Sequence, residues 1–230
     1  MTLQIAPASE GFPLPNTGHV IFEGDSSRKK LLIVFAYINQ PLDIRSHYNF
    51  LRHIDCKKLF LNPGTNQWYQ TGVPGVADTY SGLVRFLQDV ASDFADHEIL
   101  CLGHSMGGFA ALGLGVSIGA SRILVSVPEF VLNTPKSLSI RHLKETTVEC
   151  GDLSGVLANN PKSEITILVG RQDAFDLGVS RQLGEFPHTE VIELDSGHAA
   201  TAHLKDMGTL TATLEAFIEG RPIRPAVEGA

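Results

Sequence analysis

The sequence has few cysteines, no long apolar runs and no excess of positive charge, and each shortage excludes a class of protein. The 230 residues include three cysteines, Cys56, Cys101 and Cys150. A disulfide framework needs more cysteines, usually in an even number, so none is expected here. No apolar run approaches the ~20 residues of a membrane-spanning helix. Residues 1–15 lack the basic segment and apolar stretch of a signal peptide. We therefore expect a cytoplasmic protein.

The charge balance and the missing motifs narrow the range of partners. The formal net charge is −7, and an acidic surface repels phosphate backbones and anionic lipids. We expect no nucleic-acid and no membrane partner. The sequence has no phosphate-binding loop and no spacing typical of metal ligands, so we expect no cofactor and no metal. No feature predicts an oligomeric state.

Short apolar runs alternate with segments of helical periodicity along most of the chain. Hydrophobic residues make up 43% of the sequence, which suits one domain over residues 1–230, with an extension at 1–18 and a frayed tail at 221–230. Strands are predicted at 30–38, 58–61, 98–102, 122–127, 165–169 and 191–194. Helices are predicted at 78–94, capped by Asp78, and at 107–118, 175–183 and 199–218.

This alternation predicts parallel βαβ units and a three-layer α/β/α sandwich around a mostly parallel sheet. The pattern weakens over residues 129–163, where two short helices are expected at 139–147 and 153–159. A stretch of this length between two strands is a candidate cap or lid over the sheet edge.

The segment Gly103-His104-Ser105-Met106-Gly107-Gly108 joins a predicted buried strand to a predicted helix of small residues. Gly-x-Ser-x-Gly in this context projects a strained serine from a sharp turn, and the glycines allow strand and helix to approach. The sequence GHSMGG and its flanks resemble the nucleophile elbow of α/β-hydrolases, and the resemblance extends over about residues 30–218. It implies that fold and a Ser–acid–His triad with Ser105 as nucleophile.

In this family the residues follow the order serine, acid, histidine. The base should lie in the loop after the last strand, where Ser196-Gly197-His198 stands, so His198 is the predicted base. His203 is a rival, but it falls inside the predicted helix. The acid should follow the preceding strand, and the segment Gly170-Arg171-Gln172-Asp173 points to Asp173. Asp176 is the alternative acid, or else the cap of the next helix.

Two further groups of residues are assigned by position in the same family pattern. The N–H of Met106 and one from the loop after the first strand, with Tyr37 as the best candidate, should form the oxyanion hole. Relatives often carry His-Gly in that loop, and this chain does not. Tyr37 can equally be a core aromatic residue.

Four residues are candidates for substrate binding. Trp68 and Tyr69 lie in a turn-rich loop and could stack on a sugar or an aromatic group, or instead pin that loop to the body. Glu129 and Phe130 follow a strand and could line the pocket.

The expected function is hydrolysis of a small carboxylic ester or thioester through an acyl-enzyme, with a polar or acylated carbohydrate as one substrate class. An acyltransferase using the same triad is the first alternative. A binding or accessory protein with an idle triad is the second.

Overall fold

A seven-stranded sheet organises the part of the chain that this computed structural model describes, residues 17–224. Its strands are β1 (Val20–Glu23), β2 (Lys30–Phe35), β3 (Lys57–Leu61), β4 (Glu98–His104), β5 (Arg122–Ser126), β6 (Glu164–Gly170) and β7 (Thr189–Leu194). The helices are α1 (Tyr48–Leu51), α2 (Tyr80–Asp93), α3 (Met106–Ser117), α4 (Ser139–His142), α5 (Ser154–Ala158), α6 (Ala174–Leu183), α7 (Ala200–Asp206) and α8 (Leu210–Glu219). Most of the predicted extension at 1–18 and of the tail at 221–230 lies outside the described residues.

The strands follow the order β1-β3-β2-β4-β5-β6-β7, with β1 antiparallel to β3 and every other pair parallel. Helices cover both faces, as expected for parallel strands that are apolar throughout. One face packs against α2, α3, α5 and α6, and the other against α1, α7 and α8. The predicted three-layer sandwich with a mostly parallel sheet is confirmed.

The differences from the predicted elements lie mainly at the ends of the chain. The predictions omitted β1, which forms the antiparallel edge, and the one-turn helix α1. The predicted C-terminal helix is two helices, because Gly208 adopts φ 71° between α7 and α8. Helix α2 is capped by Thr79, whose side chain accepts the N–H of Gly82, so the assignment of this role to Asp78 was wrong.

The stretch between β5 and β6 forms an insertion with two short helices, α4 and α5. Gln70, in the loop after β3, fastens it to the body. The side-chain oxygen of Gln70 accepts the N–H groups of Glu149 and Cys150, each at 2.9 Å, and its amide donates to the Cys150 carbonyl at 2.9 Å. These three bonds hold the insertion against the sheet edge that carries the nucleophile motif.

Over residues 17–224, none of the helices combines the length and the apolar character needed to cross a bilayer.

Candidate active site

Ser105 stands between the end of β4 and the start of α3 with φ 52° and ψ −115°, a strained conformation for a residue with a side chain. The positions on either side must be glycine, because other backbone segments pass too close to leave room for a side chain. A Cβ on Gly103 would lie 2.0 Å from the Gly107 carbonyl oxygen, and one on Gly107 would lie 2.5 Å from the Phe35 carbonyl oxygen. The tight turn therefore projects the Ser105 side chain at the carboxyl edge of the sheet.

The strain at Ser105 predicts an unusual order of stability among its variants. Glycine ordinarily destabilises a protein relative to alanine, by roughly 0.5–1 kcal/mol in regular structure. At φ 52° the order should reverse, because only alanine keeps the Cβ that is strained there. We expect Ser105→Gly to be about 1 kcal/mol more stable than Ser105→Ala in urea unfolding. An alanine variant that is the more stable of the two would show that the turn is unstrained.

The imidazole of His198 pairs with the carboxylate of Asp176. Its Nδ1 lies 2.6 Å from Asp176 Oδ2. His198 follows β7, and Asp176 is in the first turn of α6, where it is 8% exposed. With Nδ1 held by the carboxylate, Nε2 is the other ring nitrogen of His198.

The prediction that Asp173 is the partner of His198 was wrong, and the structure places its stated alternative there. Asp173 is the N-cap of α6, and its Oδ1 accepts the N–H groups of Phe175 at 3.0 Å and Asp176 at 3.1 Å. The helix begins one residue after Asp173, so Asp176 is carried one turn further, against His198. The rival histidine, His203, lies within α7, as expected.

The pKa of His198 is raised above its usual value. The hydrogen bond to Asp176 is the largest cause, and the negative charges of Asp176, Asp173 and Glu129 add to it against the opposing effect of burial. This environment stabilises the imidazolium that forms when the histidine accepts a proton.

Asp173, Asp176 and His198 also place ligand atoms within 4.8 Å of one another, an arrangement that can hold a metal ion. Hydrogen bonds already use the closest of these atoms: Nδ1 of His198 with Asp176, and Oδ1 of Asp173 with two backbone amides. The donor set therefore fits a proton-transfer pair beside a helix cap better than a metal centre, and we base no metal function on it.

The residues assigned to the oxyanion hole meet where β2 ends against α3. The carbonyl oxygens of Phe35 and Ala36 lie closest to the position of a Cβ on Gly107. Among residues 17–224, the N–H groups of Met106 and Tyr37 donate to no protein acceptor. Two free amides beside the nucleophile turn are what an oxyanion needs. Their role stays a prediction.

Residues of the loop after β3 hold in place the loop after β2, which carries Tyr37. Asn66 accepts the N–H of Asn39 at 2.8 Å and donates to the Asn39 side chain at 2.6 Å. The hydroxyl of Tyr69 lies 3.2 Å from the Ala36 carbonyl oxygen and 3.0 Å from that of Leu61. Tyr69 thus fixes the backbone directly before Tyr37.

The prediction that Trp68 and Tyr69 form an exposed stacking surface was wrong. Both side chains are fully buried. The Trp68 ring packs against His142 of α4, with ring centroids 5.7 Å apart. The alternative interpretation, in which this pair pins a long loop to the body, describes what the structure contains. The pair supports the loop that carries Tyr37 and the insertion, and does not face a ligand.

His104, inside the nucleophile motif, contributes to the site although no separate role was predicted for it. Its ring centroid lies 6.1 Å from that of Tyr37 and 5.9 Å from that of His198. Burial, aided by the positive charges of His47 and His198, lowers the pKa of His104 to about 3. It is therefore a neutral ring that packs against His198. Its position directly before the predicted nucleophile was the available signal.

Two cavities lie beside elements that carry the His198–Asp176 pair, and Ser105, Asp176 and His198 line neither of them. One, of about 500 Å³, lies between residues 129–136 and α6, and Glu129 and Phe130 line it. The other, of about 510 Å³, lies between residues 37–50 and α7, and Tyr37 and His104 line it. The structure thus places Glu129 and Phe130 at a cavity, and their contact with substrate stays a prediction.

No protein-family model and no curated protein matches the sequence. The structure is similar to MenH from S. aureus (14% identity, 88% of this chain and 98% of that chain, TM-score 0.59). It is also similar to the capsule O-acetyltransferase of Neisseria meningitidis serogroup A (18%, 87% and 93%, 0.63). A third is an alpha/beta hydrolase enzyme from the metagenome of sediments of the Mar Chica lagoon (14%, 87% and 94%, 0.58). At these identities the likeness concerns the fold, and the chain has the α/β-hydrolase fold.

Proposed function

We propose that the protein is a serine hydrolase that cleaves a small carboxylic ester or thioester through an acyl-enzyme. The observation that carries this proposal is the 2.6 Å contact between His198 Nδ1 and Asp176 Oδ2, at the sheet edge from which the strained Ser105 projects. A buried carboxylate that orients an imidazole at the sheet edge that carries a strained serine is the arrangement that activates a serine.

In the proposed reaction His198 Nε2 takes the proton of Ser105 Oγ as Oγ bonds to the substrate carbonyl carbon. The carbonyl oxygen becomes an oxyanion that accepts the N–H groups of Met106 and Tyr37. Collapse breaks the bond to the alcohol or thiol, which leaves with the proton from His198. Water then gives a proton to His198 as its oxygen bonds to the acyl carbon. The bond between that carbon and Ser105 Oγ breaks, Oγ takes the proton back from His198, and the acid is released.

The likeness to a capsule O-acetyltransferase supports acyl chemistry in general. It leaves open whether water or an alcohol accepts the acyl group, and we keep water as the proposed acceptor. An acylated carbohydrate substrate loses the support that exposed Trp68 and Tyr69 would have given, since both are buried. A cytoplasmic location remains part of the proposal.

The raised pKa of His198 predicts the direction of the pH dependence. Only the neutral imidazole can take the proton of Ser105, so kcat/KM should fall as the pH drops through the pKa of His198, above the usual 6.5. Asp176→Asn should move this fall in kcat/KM, the acidic limb of the pH profile, to lower pH, because it removes the largest cause of the raised pKa. The measurement is a pH profile of kcat/KM with both proteins. A limb that does not move would exclude Asp176 as that cause.

The test of the proposed function is a rapid-mixing assay with p-nitrophenyl acetate, followed by an acyl thioester. We expect a burst of p-nitrophenolate equal to the enzyme concentration and then slower turnover, with both phases lost in Ser105→Ala. Turnover in Ser105→Ala within about a hundredfold of the wild-type rate would contradict the proposal. Faster release of the acyl group to an added alcohol than to water would favour an acyltransferase.

A further inference from the structure

The cavity between residues 129–136 and α6, which we name the α6 cleft, is largely apolar. Phe130, Phe175 and Val179 line its walls. Glu129 and Phe130 are buried, whereas Lys136 at the rim is exposed. The Glu129 carboxylate accepts the backbone N–H groups of residues 138 and 139, which fixes the floor of the cleft. A cleft of about 500 Å³ is within the range of small-molecule sites.

Gly178 lies in the middle of α6 and lines this cleft. A glycine inside a helix destabilises it relative to alanine, so its presence needs a reason. The backbone supplies none, because Gly178 is not among the glycines with positive φ. Close packing supplies none either, because a Cβ built on Gly178 would meet no atom within 4 Å. The missing side chain has one evident effect, which is to widen the α6 cleft.

The residues that line the α6 cleft neighbour the proposed catalytic residues in the chain, although Ser105, Asp176 and His198 do not themselves line it. Ala174 and Phe175, which line it, stand between Asp173 and Asp176 in the chain. The charge of Glu129 raises the pKa of His198, and the charge of Asp176 raises the pKa of Glu129. Pro128, the residue before Glu129, packs on the first turn of α3, since a Cβ on Gly108 would lie 3.0 Å from the Pro128 Cβ. Glu129 at the floor of the cleft is thus coupled to His198 and Asp176 by charge, and its neighbour Pro128 packs on the helix that follows Ser105.

The two cavities differ in the side chains that line them, and this difference assigns each half of an ester to one cavity. The cavity between residues 37–50 and α7 is lined by charged and polar side chains, including Arg45, Asn49 and Lys205, together with apolar ones such as Ile44 and Phe50, and it borders Ala199 beside His198. The leaving group must receive its proton from His198, so this cavity, the one with more charged side chains in its lining, suits the alcohol or thiol. The apolar α6 cleft is then left for the acyl group.

We infer that the α6 cleft binds the acyl half of the substrate and selects a carbon-rich acyl group, a ring or a chain longer than acetyl. Gly178 keeps the cleft open for it. This inference rests on the proposed function and names the substrate class of the same site.

The test fills the cleft and leaves the triad unchanged. Gly178→Leu places a branched side chain at the wall of the cleft. Gly155→Leu is the matched control, because Gly155 is also helical, also has no atom within 4 Å of an added Cβ, and does not line the cleft. The substrates are p-nitrophenyl acetate, hexanoate and phenylacetate, which share one leaving group. The midpoint temperature of thermal unfolding is measured for each variant. A midpoint equal to or above that of the wild type establishes that the variant is folded.

The wild type should prefer hexanoate or phenylacetate over acetate by about tenfold or more in kcat/KM. Gly178→Leu should lower kcat/KM for the two larger esters by about tenfold or more, mainly through KM, and leave acetate within about twofold. Gly155→Leu should change none of them. Equal losses on all three esters, or no loss, would overturn the inference. A loss that follows the alcohol in a series of acetyl esters would assign the cleft to the leaving group instead and also overturn it.

The two proposals fail in different ways. If acetate turnover with a Ser105-dependent burst persists while Gly178→Leu leaves the acyl preference unchanged, only the assignment of the cleft fails. If the wild type shows no Ser105-dependent burst on any of the three esters, the proposed function fails, and the inference fails with it.

Discussion

Ser105→Ala should lower kcat for ester hydrolysis by about 10⁵- to 10⁶-fold, to a residual rate sustained by the oxyanion donors and substrate binding alone. The expected loss is large because alanine removes the only protein atom that bonds to the substrate carbonyl carbon in the proposed reaction. The measurement is kcat of purified wild type and variant on the best ester of the p-nitrophenyl series.

Ser126→Ala is the matched control for this prediction. Ser126 lies at the end of the neighbouring strand β5, is 2% exposed, and its hydroxyl has no hydrogen-bond partner among the described residues. Its replacement should leave kcat within about twofold. If Ser105→Ala lowered kcat less than a hundredfold, a different group would be carrying the reaction.

Asp176→Asn should lower kcat by about 10³- to 10⁴-fold, because an amide no longer holds the imidazole in the tautomer that accepts the serine proton. Asp173→Asn should lower kcat less than tenfold, since asparagine caps a helix about as well as aspartate does. Steady-state kinetics of the two variants with one ester distinguish them. A larger loss in Asp173→Asn than in Asp176→Asn would return the role of triad acid to Asp173.

The nucleophile turn was predictable because its signal is local. Gly103 and Gly107 flank a serine between an apolar strand and a small-residue helix, and the approach distances show why those positions exclude side chains. The place of His198 was also predictable, because it follows the last strand of the sheet. Both residues are located by where strands end, which apolar periodicity indicates well.

The choice between Asp173 and Asp176 depended on where α6 begins, which periodicity fixes only to within a few residues. The exposure of Trp68 and Tyr69 depended on tertiary contacts. Trp68 is covered by His142, which lies 74 positions away in the insertion. A turn-rich loop looks exposed when it is considered alone. Its burial arises from tertiary contacts, since α4 packs on Trp68, and Tyr69 packs on Phe35 of the sheet.

The cavities could not be predicted either, because each lies between segments that are distant in the chain. Glu129 and Phe130 were placed near the pocket from their position after a strand, yet Gly178 gave no signal in the sequence. A role can be assigned to a glycine inside a helix only when the space beside it is known.

The central claim is that Ser105 is the nucleophile, and labelling by a fluorophosphonate tests it most directly. The folded protein is treated with the probe, and the adduct is located by mass spectrometry of its peptides. The account predicts one adduct per chain, on Ser105, and none in Ser105→Ala. Absence of labelling in the wild type, or an adduct that persists in Ser105→Ala, would contradict it.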